Sequence, residues 1–389
     1  MTPELLRQPA PIRTDGSNPF ARHTMAVRVP ALVRSIAAKN PDYPPDALAA
    51  LEELAAALEA DALIPPPAPD WPDFAGWYGQ WQAHAGERWG SAEWFFAEVY
   101  LYRLVMAAVG WFETGRDPFA PDKAAEVASP TLWNGLAAAL ALADQDNPAR
   151  LSDLITLALW GNRIDLSLAS VAAHGTHAHD DDLLADDSAV ALAELLAGPP
   201  GAVHFICDNT GTELALDLAL ADALLDGAAE TLTLHLKAHP TFVSDATLAD
   251  VEGFLARLAA DRNPAFRGLA ERLNAARLDG RLLLAPHPVW NSARFLHDFP
   301  PEALAWFEGA ALVISKGDLN YRRLVSDALW PPATPFAAVT AYFPAPLLAL
   351  RTLKSDPVVG LAPGQAERLD AAAPGWRING RRGVMQYKA

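Results

Sequence analysis

Apolar residues recur at helical spacing from Thr24 to Lys39, and Pro30 is expected to kink or break that run. The stretch "PDYPPDALAALEELAAALEA" predicts a turn and then a helix, with Asp46 at its N-cap. A proline- and tryptophan-rich connector, "LIPPPAPDWPDFAGWYGQW", leads to three longer helical stretches near residues 92–113, 130–146 and 150–172. No β-type alternation interrupts them, so an α-helical domain is expected over residues 1–180. The polar stretch "HGTHAHDDDLLADD" at 174–187 reads as a turn. The period then changes. Short β-like runs occur at 202–207, 231–236, 281–286, 311–316 and 347–352, and helical patterns at 213–225, 247–259, 264–277 and 319–329 lie between them. This alternation predicts an α/β protein. Its N-terminal α-helical domain precedes a C-terminal Rossmann-like α/β/α domain over residues 181–389, built on a mostly parallel sheet.

A chain of 389 residues exceeds one typical small core, in keeping with two domains. The formal net charge of −17 repels nucleic-acid phosphates and anionic membrane surfaces, which removes both from the expected partners. An anionic small substrate would therefore need a local cationic pocket or a metal. The single cysteine, Cys207, reads as a small buried residue; it excludes an intrachain disulfide and fits a reducing compartment. The opening "MTPELLRQPAPIRTDG" has no apolar core of a signal peptide, and no transmembrane-length apolar run occurs. A cytoplasmic protein is expected.

Ligands of open α/β sheets bind beyond the carboxyl ends of the strands. Asp208 and Asn209 follow the first predicted strand, and Glu213 opens the next helix. Lys237, Ser244 and Asp245 follow the second, Trp290 and Asn291 the third. Lys316, Gly317, Asp318 and Asn320 follow the fourth; Arg351, Thr352 and Lys354 follow the fifth. Two carboxylates with an amide oxygen make a hard, all-oxygen set suited to Mg²⁺ or Mn²⁺. Lys354 and Arg322 suit neutralising a phosphate, and helix N-termini offer N–H groups to an anion. Together these parts suit metal-assisted phosphoryl chemistry. Taken singly, Asp208 or Glu213 reads better as a helix cap or a first-turn acid, Asp318 as a turn, and Lys354 as a solvated surface residue. The convergence of polar sets at successive strand ends favours the site. His174, His177 and His179, followed by three aspartates, resemble a transition-metal tract. They fall in the expected inter-domain loop, with no rigid frame, and read as solvated linker.

Four segments of the α/β half, "DNTGTEL", "FVSDAT", "GDLNYRRL" and "RTLK", together resemble the damage-control phosphatase family, formerly a domain of unknown function. The RTxK element resembles its subfamily III, the acidic-residue methyltransferase-like branch. "NPFARHTMAVRVPALV", "WFFAEVYLYRLV" and "LWGNRIDLSL" resemble that branch's helical region, so the likeness runs from about residue 19 to 354. It implies a metal-dependent phosphatase acting on sugar phosphates, fructose 1-phosphate and fructose 6-phosphate among them, with Mn²⁺, Co²⁺, Ni²⁺ or Mg²⁺ as cofactor. It implies Asp208, Asn209 and Asp245 as metal ligands and catalytic residues. It also implies substrate contacts at Asp318, Asn320, Tyr321, Arg322 and Lys354, with Glu213 as the acid of the DN-x-G-x-E motif. The chain departs from the motif at Thr210, where alanine is common. Thr210 also occupies the position where haloacid dehalogenase-type phosphatases carry a second aspartate, and no GxxxxGK loop is present.

Asn162 and Asp165 lie three apart on one helix face. They suit either binding sugar hydroxyls in the inter-domain cleft or bridging helices. Glu98, Tyr102 and Arg103 read as a structural network. Two other functions compete with the phosphatase. One is an S-adenosylmethionine-dependent protein-glutamate carboxyl methyltransferase, against which the single glycine of "DNTG" argues. The other is a non-catalytic sugar-phosphate-binding protein. Water and the Asp208 carboxylate are equally suited to attack phosphorus.

Overall fold

The computed structural model describes residues 7–161 and 182–389. Among them, β1 (Leu183–Asp186), β2 (Gly201–Ile206), β3 (Ala229–Lys237), β4 (Leu282–His287), β5 (Leu312–Lys316), β6 (Leu347–Thr352) and β7 (Gly383–Lys388) form one sheet in the order β1-β7-β6-β5-β2-β3-β4. Neighbours from β4 across to β6 are parallel, and β7 is antiparallel to β6. The five strands expected from the sequence are β2 to β6. Two more correct that reading. The stretch taken as a turn at 174–187 contains the short β1, and the C-terminal tail supplies β7. The first four residues of β7 are all buried, so it shows no alternation that would mark it as a strand.

From β2 the chain passes to β3 on one side, and it later returns to β5 on the other. Such a reversal opens a crevice at the carboxyl ends of β2 and β5. The helix Thr212–Leu225, which follows β2, is buried at every residue from Thr212 to Leu224. A helix apolar on all sides requires cover on all sides. The sheet provides one face; the helices Pro130–Leu140 and Asn147–Leu159 provide the other. Those two helices, counted by sequence with the helical half, thus share the apolar core of the sheet. Residues from Ile12 to Phe119 form a separate apolar cluster, joined to the α/β half through Phe295 and Leu319. The opposite sheet face is covered by a third cluster that includes Trp290, Phe307, Tyr321 and Phe336. Among the described residues no helix is long and apolar enough to cross a membrane.

Pro30 does not break its helix. It sits at the start of Val29–Lys39, directly after a π-turn, Thr24–Arg28, closed by the Val29 N–H on the Thr24 carbonyl. Proline lacks an N–H, and its ring crowds the carbonyl four residues earlier; the wider turn relieves that crowding. Asp46 lies in the first turn of Pro45–Glu59 rather than at the N-cap, which is Pro44.

His235 on β3 stands in a box of rings made by Trp290, Trp306 and Phe307. Its Nε2 is 3.0 Å from Nδ1 of His204, and its own Nδ1 has no hydrogen-bond partner. Burial, with smaller contributions from His204 and His287, pushes its pKa down to about 3. The unfolded chain takes up this proton near pH 6.5, the native protein only near the lower value, so the native state holds fewer protons between the two. Stability contributed by the neutral ring is therefore complete above about pH 6.5 and falls by about 1.4 kcal/mol per pH unit below it. His235→Phe removes that slope. Urea unfolding between about pH 6 and 4.5 should show the variant losing stability less steeply than the parent by about this amount. Parallel slopes would mean that the folded protein accommodates the charged ring.

Candidate functional site

Two loops meet at the carboxyl ends of β2 and β3. Ala246 N–H donates to the Asp208 carbonyl at 2.8 Å, and Thr210 N–H donates to the Ser244 carbonyl at 2.6 Å. The Ser244 hydroxyl donates to Asn209 Oδ1 at 2.6 Å. The second loop holds two consecutive residues in left-handed conformation, Phe242 with φ 46° and Val243 with φ 68°. For a β-branched residue this is rare, and such strain persists only where surrounding contacts impose it. Here the cross-loop hydrogen bonds and the Phe242 ring, 4.5 Å from that of Tyr102, impose it. The outcome is that Asp208, Asn209 and Asp245 line one cavity.

Charge is concentrated there. Asp208 and Asp245 are only 6% and 2% exposed. Burial, then Glu213 and Asp245, raise the Asp208 pKa well above the carboxylate range. Burial also raises Asp245, against the opposing effect of Lys237. Lys237 Nζ lies 3.2 Å from Asp245 Oδ2, within ion-pair reach, although that oxygen takes no well-aligned hydrogen bond. Asn209 Nδ2 stands between the carboxylates, 2.9 Å from Asp208 Oδ2 and 3.2 Å from Glu213 Oε2. Among the described residues no group of three or more histidine, cysteine, aspartate or glutamate side chains is arranged to hold a metal. The set here is two carboxylates and an amide. Its buried, mutually repelling acids and an oxygen left without a hydrogen bond fit a hard divalent cation.

β5 runs into Gly317, whose φ of 84° is left-handed and whose missing Cβ makes room for the Asp208 carboxylate. Beneath it, Lys316 Nζ donates to Asp217 and to the Ala158 carbonyl, both at 2.7 Å, a buried pair that ties β5 to two helices. Asp318 lines the cavity and accepts from Arg351 Nε at 2.7 Å and from the Lys354 N–H at 3.0 Å. Burial would raise its pKa, but Arg351 and the Lys354 N–H outweigh it and hold Asp318 ionised below its usual value. Lys354 projects into the cavity from the end of β6. Burial works to lower its pKa; Glu213, Asp208 and Asp318 outweigh it and keep the ammonium charged.

The other expected substrate contacts divide. Arg322 lines the cavity, and its guanidinium is already held by two carboxylates. It donates to Glu98 at 2.6 Å and to both Asp327 oxygens at 2.8 and 3.0 Å, and it lies 3.8 Å over the Trp94 ring. Glu98 thus carries an ion pair between the two halves. Asn320 is fully buried and donates to the Cys207 and Lys316 carbonyls at 3.0 and 2.9 Å, which pins the ends of β2 and β5 together. The Tyr321 hydroxyl points away into the core, donating to Gln386 Oε1 at 2.8 Å. Asn162, Asp165, His174, His177 and His179 lie outside the described residues. The cavity holds 610 Å³, and its far wall comes from the helical half, with Thr24, Arg28, Ser35 and Tyr102. Of these, the four-residue spacing from Phe20 through Thr24 and Arg28 to Leu32 was visible in sequence but reads equally as helix packing.

A family model described as "Damage-control phosphatase ARMT1-like domain" matches residues 24–369. The chain is 31% identical over 329 residues to the damage-control phosphatase ARMT1 of Rattus norvegicus, which covers 77% of this chain and 75% of that protein. It is 29% identical over 334 residues to the Homo sapiens protein of the same name, with the same two coverages. A crystal structure of a DUF89 family protein from Pyrococcus horikoshii aligns with a TM-score of 0.49 and 16% identity, covering 97% of this chain and all of that one.

Gly317→Ala tests the packing of Asp208. An L-residue at this φ is strained, and the new methyl would collide with the carboxylate. A loss of about 1–3 kcal/mol in unfolding free energy is expected by urea denaturation. A variant as stable as its parent would show that Asp208 is not held against Gly317.

Proposed function

The chain belongs to the damage-control phosphatase family with the ARMT1-like domain, and we propose that it hydrolyses phosphorylated sugars in a metal-dependent reaction. Fructose 1-phosphate, fructose 6-phosphate and related damaged phospho-metabolites are the proposed substrates. The observation that carries this reading is the meeting of Asp208, Asn209 and Asp245 beside the charged Lys354 in one cavity at the β2/β5 crevice.

Asp208, Asn209 and Asp245 would hold the divalent cation. When bound, it would neutralise phosphate charge and act as a Lewis acid on the phosphoryl oxygen. Lys354 contributes a second positive charge from the opposite strand end, where Asp318 fixes its backbone N–H. Its ammonium would grip the phosphate oxygens as a charge-assisted donor. Asp208 either attacks phosphorus itself or orients water to do so, and in both cases Gly317 and the Ala246 N–H hold it in place. Glu213 stands behind Asn209 and orients its amide. Arg322, paired with Glu98 and Asp327, braces the wall. Asn320 and Tyr321 act through the backbone they hold.

Chelation with EDTA should abolish phosphate release from fructose 1-phosphate, and Mn²⁺, Co²⁺, Ni²⁺ or Mg²⁺ should restore it. A labelled methyl-donor assay run beside it should stay silent. Asp208→Ala and Asp245→Ala should each lose Mn²⁺ binding by calorimetry together with nearly all turnover, because two remaining groups compete poorly with water for a hard cation. Wild-type affinity in either variant would move the site elsewhere.

Lys354→Met keeps much of the stem and removes the charge. A charge-assisted hydrogen bond contributes about 1.5–3 kcal/mol, so kcat/KM should fall about tenfold to a hundredfold. Metal affinity should be retained. Unchanged steady-state kinetics would return Lys354 to the solvated surface.

A further inference from the structure

The cavity has a wall for which the chemistry at the metal-binding end gives no use. It comes from one face of the segment Pro19–Lys39, where Phe20, Thr24, Arg28 and Leu32 all line the cavity. We propose that Thr24 and Arg28 form a subsite that reads the hydroxyl-bearing carbon chain of the substrate. The proposal rests on the phosphatase reading above and adds to it the residues that separate a sugar phosphate from any other phosphate ester.

Three observations converge on it. First, Thr24 is 5% exposed, and its Oγ1 has no hydrogen-bond partner. A threonine in a helix usually donates back to a carbonyl one turn earlier. This one does not, so a buried hydroxyl is left lining a cavity, and an orphan of this kind is costly unless a ligand or water completes it. Second, Arg28 is exposed; its guanidinium carbon lies 5.7 Å from the centre of the Phe20 ring, and its charge also acts on Tyr102. By contrast Arg34, one face away, is held by Glu52 and Glu59. Third, aromatic side chains share the cavity with these donors. Trp94, Tyr102 and Phe242 line the same space. Hydroxyl and guanidinium donors set among aromatic side chains match a carbohydrate, whose C–H groups pack on rings while its hydroxyls pair with polar groups.

Backbone geometry supports the same assignment. Positions four apart drift around an ideal α-helix, because a turn takes 3.6 residues. The π-turn Thr24–Arg28 widens the helix at that step and offsets the drift, so that Phe20, Thr24, Arg28 and Leu32 all face the cavity. π-turns are uncommon and concentrate at functional sites. The volume is also sufficient: 610 Å³ exceeds the space that a phosphate group occupies and leaves room for a hexose.

The test compares fructose 1-phosphate with ethyl phosphate, which carries the ester but no hydroxyls, in the metal-loaded parent and in Thr24→Val, Arg28→Met and Arg28→Lys. The ratio of the two kcat/KM values should fall about tenfold in Thr24→Val and in Arg28→Met. The loss should appear mainly in KM for the sugar phosphate. Arg28→Lys should recover part of it. Thr24→Val is nearly isosteric, and Arg28 is exposed, so the arginine variants remain informative even if the valine variant fails to fold. An unchanged ratio in the arginine variants overturns the subsite. If the parent turns over neither ester, the phosphatase reading fails, and titration calorimetry with fructose 1-phosphate then decides the subsite alone. Weaker binding in the variants would support it, and equal binding would overturn it.

Discussion

The arrangement around the crevice follows from burying negative charge at the ends of two strands. A carboxylate taken out of water costs several kcal/mol unless positive charge or hydrogen bonds replace its hydration. Asp208 and Asp245 are both taken out of water, and they belong to loops that the backbone stitches together. Neither can relax away from the other. Lys237, the last residue of β3, supplies one compensating charge, although burial lowers its own pKa. Lys354 supplies a second from across the crevice. Burial still raises Asp208 and Asp245 above their usual values, repulsion from Glu213 and Asp245 raises Asp208 further, and a bound cation would relieve that repulsion.

The helical half is needed because that charge must be enclosed on the open side of the sheet. One tie is Glu98, which meets Arg322 across the halves while Trp94 covers the guanidinium. Asp327 completes the set from the α/β half, from a left-handed position with φ 45°. A second tie is Lys123, which donates to the Asp245 carbonyl at 3.3 Å and to Asp250 at 2.7 Å. A third is Glu126, whose carboxylate accepts the Thr212 N–H at 3.0 Å, at the start of the helix behind Asn209. Acidic side chains are favoured at that end of a helix. The Lys123 and Glu126 ties end in or beside the loops that carry Asp208, Asn209 and Asp245, so the helical half braces those loops as well as walling the cavity.

Much of this was legible in the sequence. The five strands β2 to β6 carry apolar runs that punctuation separates from the helices, and their carboxyl ends collect the acids and amides by chemical type. Asp208, Asn209, Asp245, Asp318 and Lys354 were found this way, and all line the cavity. β1 and β7 were not, because one is four residues long and the other is buried without alternation. Arg322, Asn320 and Tyr321 share a motif with Asp318, but a helix turns each to a different surroundings. Residue type alone does not say whether a guanidinium is already saturated. Thr24 was hidden for a related reason: a threonine on an apolar helix face carries no mark of whether its hydroxyl has a partner.

The different fates of the cations around this cavity show how position selects function from one kind of charge. Lys316 is buried against Asp217, and that pairing, opposing the desolvation which raises Asp217 to about 6, locks β5 to the central helix. Arg351 is buried and divided among Asp318, Ser355 and the Pro357 carbonyl, so it fixes the loop that carries Lys354. Arg322 is consumed by two carboxylates. Each of these is held by acceptors within the protein and contributes rigidity. Lys354 and Arg28 differ because solvent reaches them and the cavity lies in front of them. They stand on opposite halves, one from the end of β6 and one from the π-turn. A ligand bridging them would therefore engage both halves at once.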